Sequence, residues 1–148
     1  MIRIFGFAVK GQHCYVTALF ICDHLGINAP LKFIVDTGNT HTTLTETTAK
    51  KLGIDLASLS SEKLKMRATG IGGSSDLYQL AGIRLVFMTV DGTPVEEKLP
   101  FVRILKNPVP RNNEEQKALE AIPDLLGLDV IRRFNIRFDK HMMYLERE

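Results

Sequence analysis

The amino-acid sequence predicts a mainly β domain with little helix, on two observations. Short runs rich in Val, Ile, Phe, Tyr and Thr recur along the chain, and such side chains suit a pleated, half-buried surface. Clusters of turn-forming residues separate these runs. At 148 residues and 45% hydrophobic composition, the chain matches one domain, residues 1–148, built around one core.

Strands are expected over Ile2 to Val9, Tyr15 to Cys22, Leu31 to Val35, Lys63 to Thr69, Leu77 to Val90, Glu97 to Leu105, Ile136 to Phe138 and Met142 to Leu145. Asp91-Gly92-Thr93-Pro94 supplies a reversal between two of them. Three helical pieces interrupt the pattern. Thr45 caps a helix from Glu46 to Leu52, closed by Gly53. Asn112 or Asn113 caps a second, from Glu114 to Ala121, ended by Pro123. Asp129 caps a third, from Val130 to Phe134.

Nineteen Lys and Arg against 17 acidic residues leave a net charge of +2, scattered along the chain. This gives no support for nucleic-acid binding. The first apolar run is too short to span a membrane and lacks a secretory cleavage site, so a cytoplasmic protein with no membrane partner is expected. Cys14 and Cys22 are separated by about 26 Å if they lie along one strand, too far for a disulfide. Two free thiols are expected.

The segment Phe33-Ile34-Val35-Asp36-Thr37-Gly38-Asn39-Thr40 is the most informative. An apolar strand delivers a carboxylate into a turn of a hydroxyl residue and a glycine, which presents the acid at a fixed strand end. Alone, an Asp-Thr-Gly turn is common and says little. A second segment, Ala68 to Ser75, forms a glycine-rich tip in which Gly70, Ile71, Gly72 and Gly73 can offer backbone groups to an extended peptide. Alone it reads as a hairpin loop; a phosphate-binding loop is disfavoured because no Gly-Lys-Ser/Thr comes after it. The third segment, Ile122-Pro123-Asp124-Leu125-Leu126-Gly127-Leu128-Asp129-Val130-Ile131, leads into the last strand pair.

Together and in this order, Asp36-Thr37-Gly38, the glycine-rich tip and Leu125-Leu126-Gly127 resemble the retroviral-type, retropepsin-like aspartic proteases. The run Leu126 to Ile131 is especially similar to the protease domain of the eukaryotic DNA-damage-inducible, ubiquitin-linked proteins, and prokaryotic single-domain relatives share the pattern. The resemblance implies a retropepsin-like β-barrel half-enzyme with short helices, one domain per chain. It implies Asp36 as the catalytic carboxylate, Thr37 bonding across a dimer axis, and Gly38 permitting close backbone approach. The Gly70 to Gly73 flap would cover a peptide or protein substrate.

The chemistry needs two carboxylates sharing one proton, yet the chain holds one Asp-Thr-Gly. Asp76, Asp91 and Asp139 sit in no second such turn, so a homodimer with both copies of Asp36 at its axis is expected. The Ile136 to Leu145 segment has the alternation to pair across subunits. No cofactor or metal is expected, since His13, His24, His41 and His141 are dispersed without zinc-protease spacing. His41 reads first as a surface or packing residue, and Arg132-Arg133 as a solvated helix end.

Two departures stand out. Asn39 replaces the small residue usual after the glycine, and its amide is free to donate to Asp36 or to point away. The stretch from Asp91 to Asp124 is long, its excess lying in a polar Arg111 to Glu120 helix that reads first as a solvated surface. The leading expectation is an aspartic endopeptidase; the alternative is a catalytically silent dimerisation or peptide-binding module of the same fold.

Overall fold

The computed structural model describes residues 1–8, 13–59 and 76–148. Its strands are β1 (Ile2–Ala8), β2 (Cys14–Cys22), β3 (Ile27–Val35), β4 (Thr43–Thr45), β5 (Leu77–Met88), β6 (Pro94–Leu105), β7 (Asp124–Leu126), β8 (Asn135–Asp139) and β9 (Met142–Arg147). Its α-helices are α1 (Glu46–Lys51), α2 (Asn113–Glu120) and α3 (Leu128–Ile131). The expected strand from Lys63 to Thr69 lies outside the described residues.

Hydrogen bonding orders the strands β3-β7-β4-β6-β5-β2-β1-β9-β8, and a further β3–β2 pairing closes the first six into a barrel. The fold is therefore mainly β, as composition predicts. Six strands leave no edge within the barrel. The inward faces of β2, β3, β5 and β6 supply Phe20, Phe33, Phe87, Leu80, Ile83, Leu85, Leu99 and Ile104, all 2% exposed or less. Burying such side chains stabilises by about 1.5–3 kcal/mol each. Among the described residues, no helix is long and apolar enough to cross a membrane.

β1 and the β8–β9 hairpin form a wing beside the barrel. All six residues of β9 pair with β1, from Ile2↔Arg147 to Phe7↔Met142, and Met143 and Leu145 are fully buried. The wing is anchored by Glu97 on β6, 4% exposed, which pairs with Arg133 at 2.7 Å and Arg147 at 2.5 Å. Among the described residues, β8 pairs with β9 alone and is mostly exposed.

The long hairpin of β5 and β6 changes face part-way. Leu80 and Val102 point inward as one cross-strand pair, and Ile83 and Leu99 as the next, an odd offset. Gly82, at φ +73°, stands between them opposite Pro100. A positive φ rotates the peptide plane at no steric cost only for glycine, and Pro100 has no N–H to lose from the ladder.

Local capping chemistry holds. The Thr45 hydroxyl accepts the Thr48 N–H at the start of α1, and the Asn112 side chain accepts from Glu115 N–H at the start of α2. None of the α2 residues is buried, in keeping with a solvated surface helix. The third helix departs from expectation: it begins at Leu128 with Gly127 as its N-cap. Asp129 lies inside its first turn, with its carboxylate turned to another element. Cys14 and Cys22 are free thiols at opposite ends of β2.

Candidate active site

The apolar run Phe33-Ile34-Val35 ends β3, and the chain leaves the barrel at Asp36. β3 runs parallel to β7, with Phe33, Ile34 and Val35 opposite Asp124, Leu125 and Leu126. The Asp36 N–H continues that ladder by donating to the Leu126 carbonyl at 3.0 Å. One carboxylate oxygen of Asp36, Oδ1, accepts the Gly38 N–H at 2.9 Å. Among the described residues, Oδ2 has no partner. Thr37 and Gly38 are exposed at the tip of the loop.

The descending limb of the loop is fastened by Leu125-Leu126-Gly127 together with Leu128 and Asp129. Leu128 N–H donates to the Asn39 carbonyl at 2.8 Å, and Asp129 N–H to the Thr40 carbonyl at 3.2 Å. A Cβ on Gly127 would stand 2.5 Å from the His41 carbonyl carbon and 2.8 Å from Thr42 N. Only glycine admits this backbone approach.

Thr42, fully buried, is the hub. Its N–H donates to both Asp129 oxygens at 3.0 Å, its hydroxyl donates to Asp129 Oδ1 at 2.8 Å, and its Oγ1 accepts the Gly127 N–H at 3.2 Å. Asp129 is therefore a clamp on the Asp36 loop, where the sequence suggested a helix cap. No local pattern signals this, because the two residues lie far apart along the chain.

Asn39 points away from Asp36. Its amide donates to Thr43 Oγ1 at 3.0 Å, and that hydroxyl donates to the His41 carbonyl at 2.9 Å. The larger residue after the glycine is thus absorbed within the loop. His41 stacks on Phe101, with ring centroids 5.2 Å apart, and its Nδ1 is hydrogen-bonded to Thr40 Oγ1 at 2.9 Å. Burial, with the positive field of Arg103, lowers the His41 pKa below the usual histidine value, while Asp129 pulls it the other way.

A second acid braces the loop from below. Asp124 is 7% exposed, and its oxygens accept the Thr45 N–H at 2.9 Å and the Thr48 hydroxyl at 2.8 Å. Desolvation raises its pKa, against the opposing pull of these hydrogen bonds and the nearby Lys51 charge. The tripeptide Asp36-Thr37-Gly38 and Leu125-Leu126-Gly127, distant in sequence, are thus in backbone contact. Gly70, Ile71, Gly72 and Gly73 lie outside the described residues. No group of three or more His, Cys, Asp or Glu side chains positioned to hold a metal occurs among the described residues.

A family model described as aspartyl protease matches residues 23–103, more than half of the chain, and that span contains Asp36-Thr37-Gly38. The chain belongs to the aspartyl protease family. Among solved structures, this aspartyl protease family member is similar to a retropepsin-like aspartic protease from Rickettsia conorii. Identity is 24% and the TM-score 0.60, over 97% of this chain and 98% of that one. That likeness shows the retropepsin-like fold. The chain is also similar to the retroviral protease-like domain of Ddi1 from Leishmania major (14% identity, TM-score 0.43, covering 84% and 80%). A third is EIAV protease, complexed with the inhibitor HBY-793 (13%, TM-score 0.47, covering 82% and 88%). No curated protein matches the chain.

Proposed function

We propose that this aspartyl protease family member is an active endopeptidase whose site is assembled from two copies of the chain, each contributing one domain and one Asp36. The observation that carries the reading is the presentation of Asp36: main chain pinned to β7, one oxygen held by the Gly38 N–H, the other free among the described residues. A carboxylate with one oxygen held and one open is suited to share a proton with a twin and to polarise a water between them.

In this reading one Asp36 acts as base toward the water and the other, protonated, as acid toward the scissile carbonyl. Like charges at such a distance resist double ionisation, so the pair titrates in two coupled steps and gives a bell-shaped profile on the acidic side of neutral. Thr37, at the exposed tip, supplies the hydroxyl that bonds across the axis, and Gly38 lets the two loops approach. The Gly70 to Gly73 segment covers an extended peptide. No cofactor takes part.

The single Asp-Thr-Gly in the chain supports the two-copy site. So does β8, whose outer edge, free among the described residues, offers backbone groups that association would satisfy.

Asp36→Asn keeps the shape of the side chain but removes the base. Purified mutant should cleave no peptide in a mixed library between acidic and neutral pH while its melting temperature stays near that of the wild type. Substantial cleavage by the mutant, insensitive to pepstatin-type inhibitor, would remove Asp36 from the mechanism. A wild type that cleaves nothing but still associates would favour the silent dimerisation module instead.

A further inference from the structure

Eight arginines lie among the described residues, and six of them meet a carboxylate: Arg3, Arg84, Arg111, Arg133, Arg137 and Arg147. The two that meet none among the described residues are Arg103 and Arg132, and both stand close to His41. Arg103, on β6, donates its main-chain N–H to the Thr42 carbonyl at 3.0 Å, and its Nε is buried without a hydrogen-bond partner. Arg132 is exposed and, with Thr40, His41, Leu128 and Asp129, walls an open cleft of about 320 Å³.

That cleft is continuous with the Asp36 loop, because Thr40 and His41 are the loop's own descending limb. Its one carboxylate is committed: Asp129 is occupied by the N–H and hydroxyl of Thr42. Asp129 keeps its negative charge, but Arg132 at the mouth and Arg103, whose positive field reaches His41, outnumber it, so two guanidiniums stand against one carboxylate around the cleft. An arginine's planar fork of donors is matched to a carboxylate. The usual surface solution, an ion pair within the chain, is adopted by the other six described arginines and, among the described residues, not by these two.

We infer that the cleft walled by His41 and Arg132 receives an acidic side chain of the peptide substrate, Asp or Glu, at a position flanking the scissile bond. The inference rests on the endopeptidase reading and adds a substrate class to it. Arg132 bonds the incoming carboxylate, His41 forms the adjoining wall held flat against Phe101, and Arg103 contributes field from behind. Arg132 is a specificity residue here and takes no part in bond cleavage.

The test uses matched peptides in which Glu, Gln or Lys is scanned through each position around a cleaved bond. At one position the Glu peptide should exceed its Gln partner in kcat/KM on the order of fivefold, the upper range for a partly solvated ion pair, and added salt should erode the ratio. Arg132→Gln should bring the ratio to near one, and Arg132→Glu should transfer the preference to the Lys peptide, a reversal that a purely structural role does not produce. Binding of the same peptides to Asp36→Asn protein by calorimetry separates the two readings. No cleavage by the wild type, with Glu peptides still bound more tightly than Gln peptides, would sink the endopeptidase and keep the cleft. Cleavage with no Glu preference at any position, or a preference unmoved in both Arg132 variants, would sink the cleft and keep the endopeptidase. Neither cleavage nor selective binding would sink both.

Discussion

Asp129 accepts the backbone N–H of Thr42 at 3.0 Å and its hydroxyl at 2.8 Å, so the first turn of α3 holds the descending limb of the Asp36 loop. Thr42 is fully buried, and removing the acceptor strands two donors away from water. Asp129→Ala should therefore destabilise by about 3 kcal/mol, and Asp129→Asn, which keeps one acceptor, by about 1 kcal/mol. Urea denaturation reads both; an Ala variant within 0.5 kcal/mol of wild type, on the order of ordinary surface substitutions, would refute the clamp.

Gly127 offers a sharper version of the same test. An added methyl meets His41 and Thr42 backbone atoms at 2.5 to 2.8 Å, and backbone cannot swing aside as a side chain would. Gly127→Ala should cost about 3 kcal/mol and lower peptide turnover together with stability. Full activity in a stable Gly127→Ala protein would mean that the loop does not depend on this contact.

Asp124 makes stability depend on pH in the direction opposite to a salt-bridged acid. Its folded pKa is raised above the ordinary carboxylate value by burial, so the native state holds its proton where the unfolded state has released it. Its contribution is complete below the unfolded pKa and is lost as pH rises through the raised folded one. Wild type should therefore lose stability relative to Asp124→Asn over that interval and not below it. Denaturation of both proteins across a pH series from strongly acidic to neutral checks the sign; a difference that grows in favour of wild type with rising pH would reverse the assignment.

Association is best tested at β8. Cutting the chain at His141 would remove Met143 and Leu145 from the core as well as the outer strands, so loss of activity there would report unfolding. Phe138, on β8, is 66% exposed, and Phe138→Lys should leave the melting temperature near wild type while weakening self-association. Thr37→Ala should weaken it too, with activity falling in parallel and recovering at high protein concentration. Sedimentation showing monomers at concentrations where specific activity is constant would exclude a site built from two chains.

Much of this architecture is legible in the sequence because it is local. Thr45 and Asn112 cap helices through donors three residues away, and alternation along β2 and β5 announces buried faces within a few residues. Asp36 is found at a strand end because Phe33, Ile34 and Val35 immediately precede it. Tertiary structure decided the rest. β4 and β7 are three residues long, too short to show a period, and exist because the strands on either side supply their hydrogen bonds. Asp129 turned toward Thr42 because barrel closure brought that partner near, and Asn39 turned toward Thr43, four residues on, once the loop folded back on itself. Arg103 and Arg132 each come to stand near His41 through the tertiary fold: a side chain's charge is written in the sequence, but whether a partner neutralises it depends on which strands become neighbours.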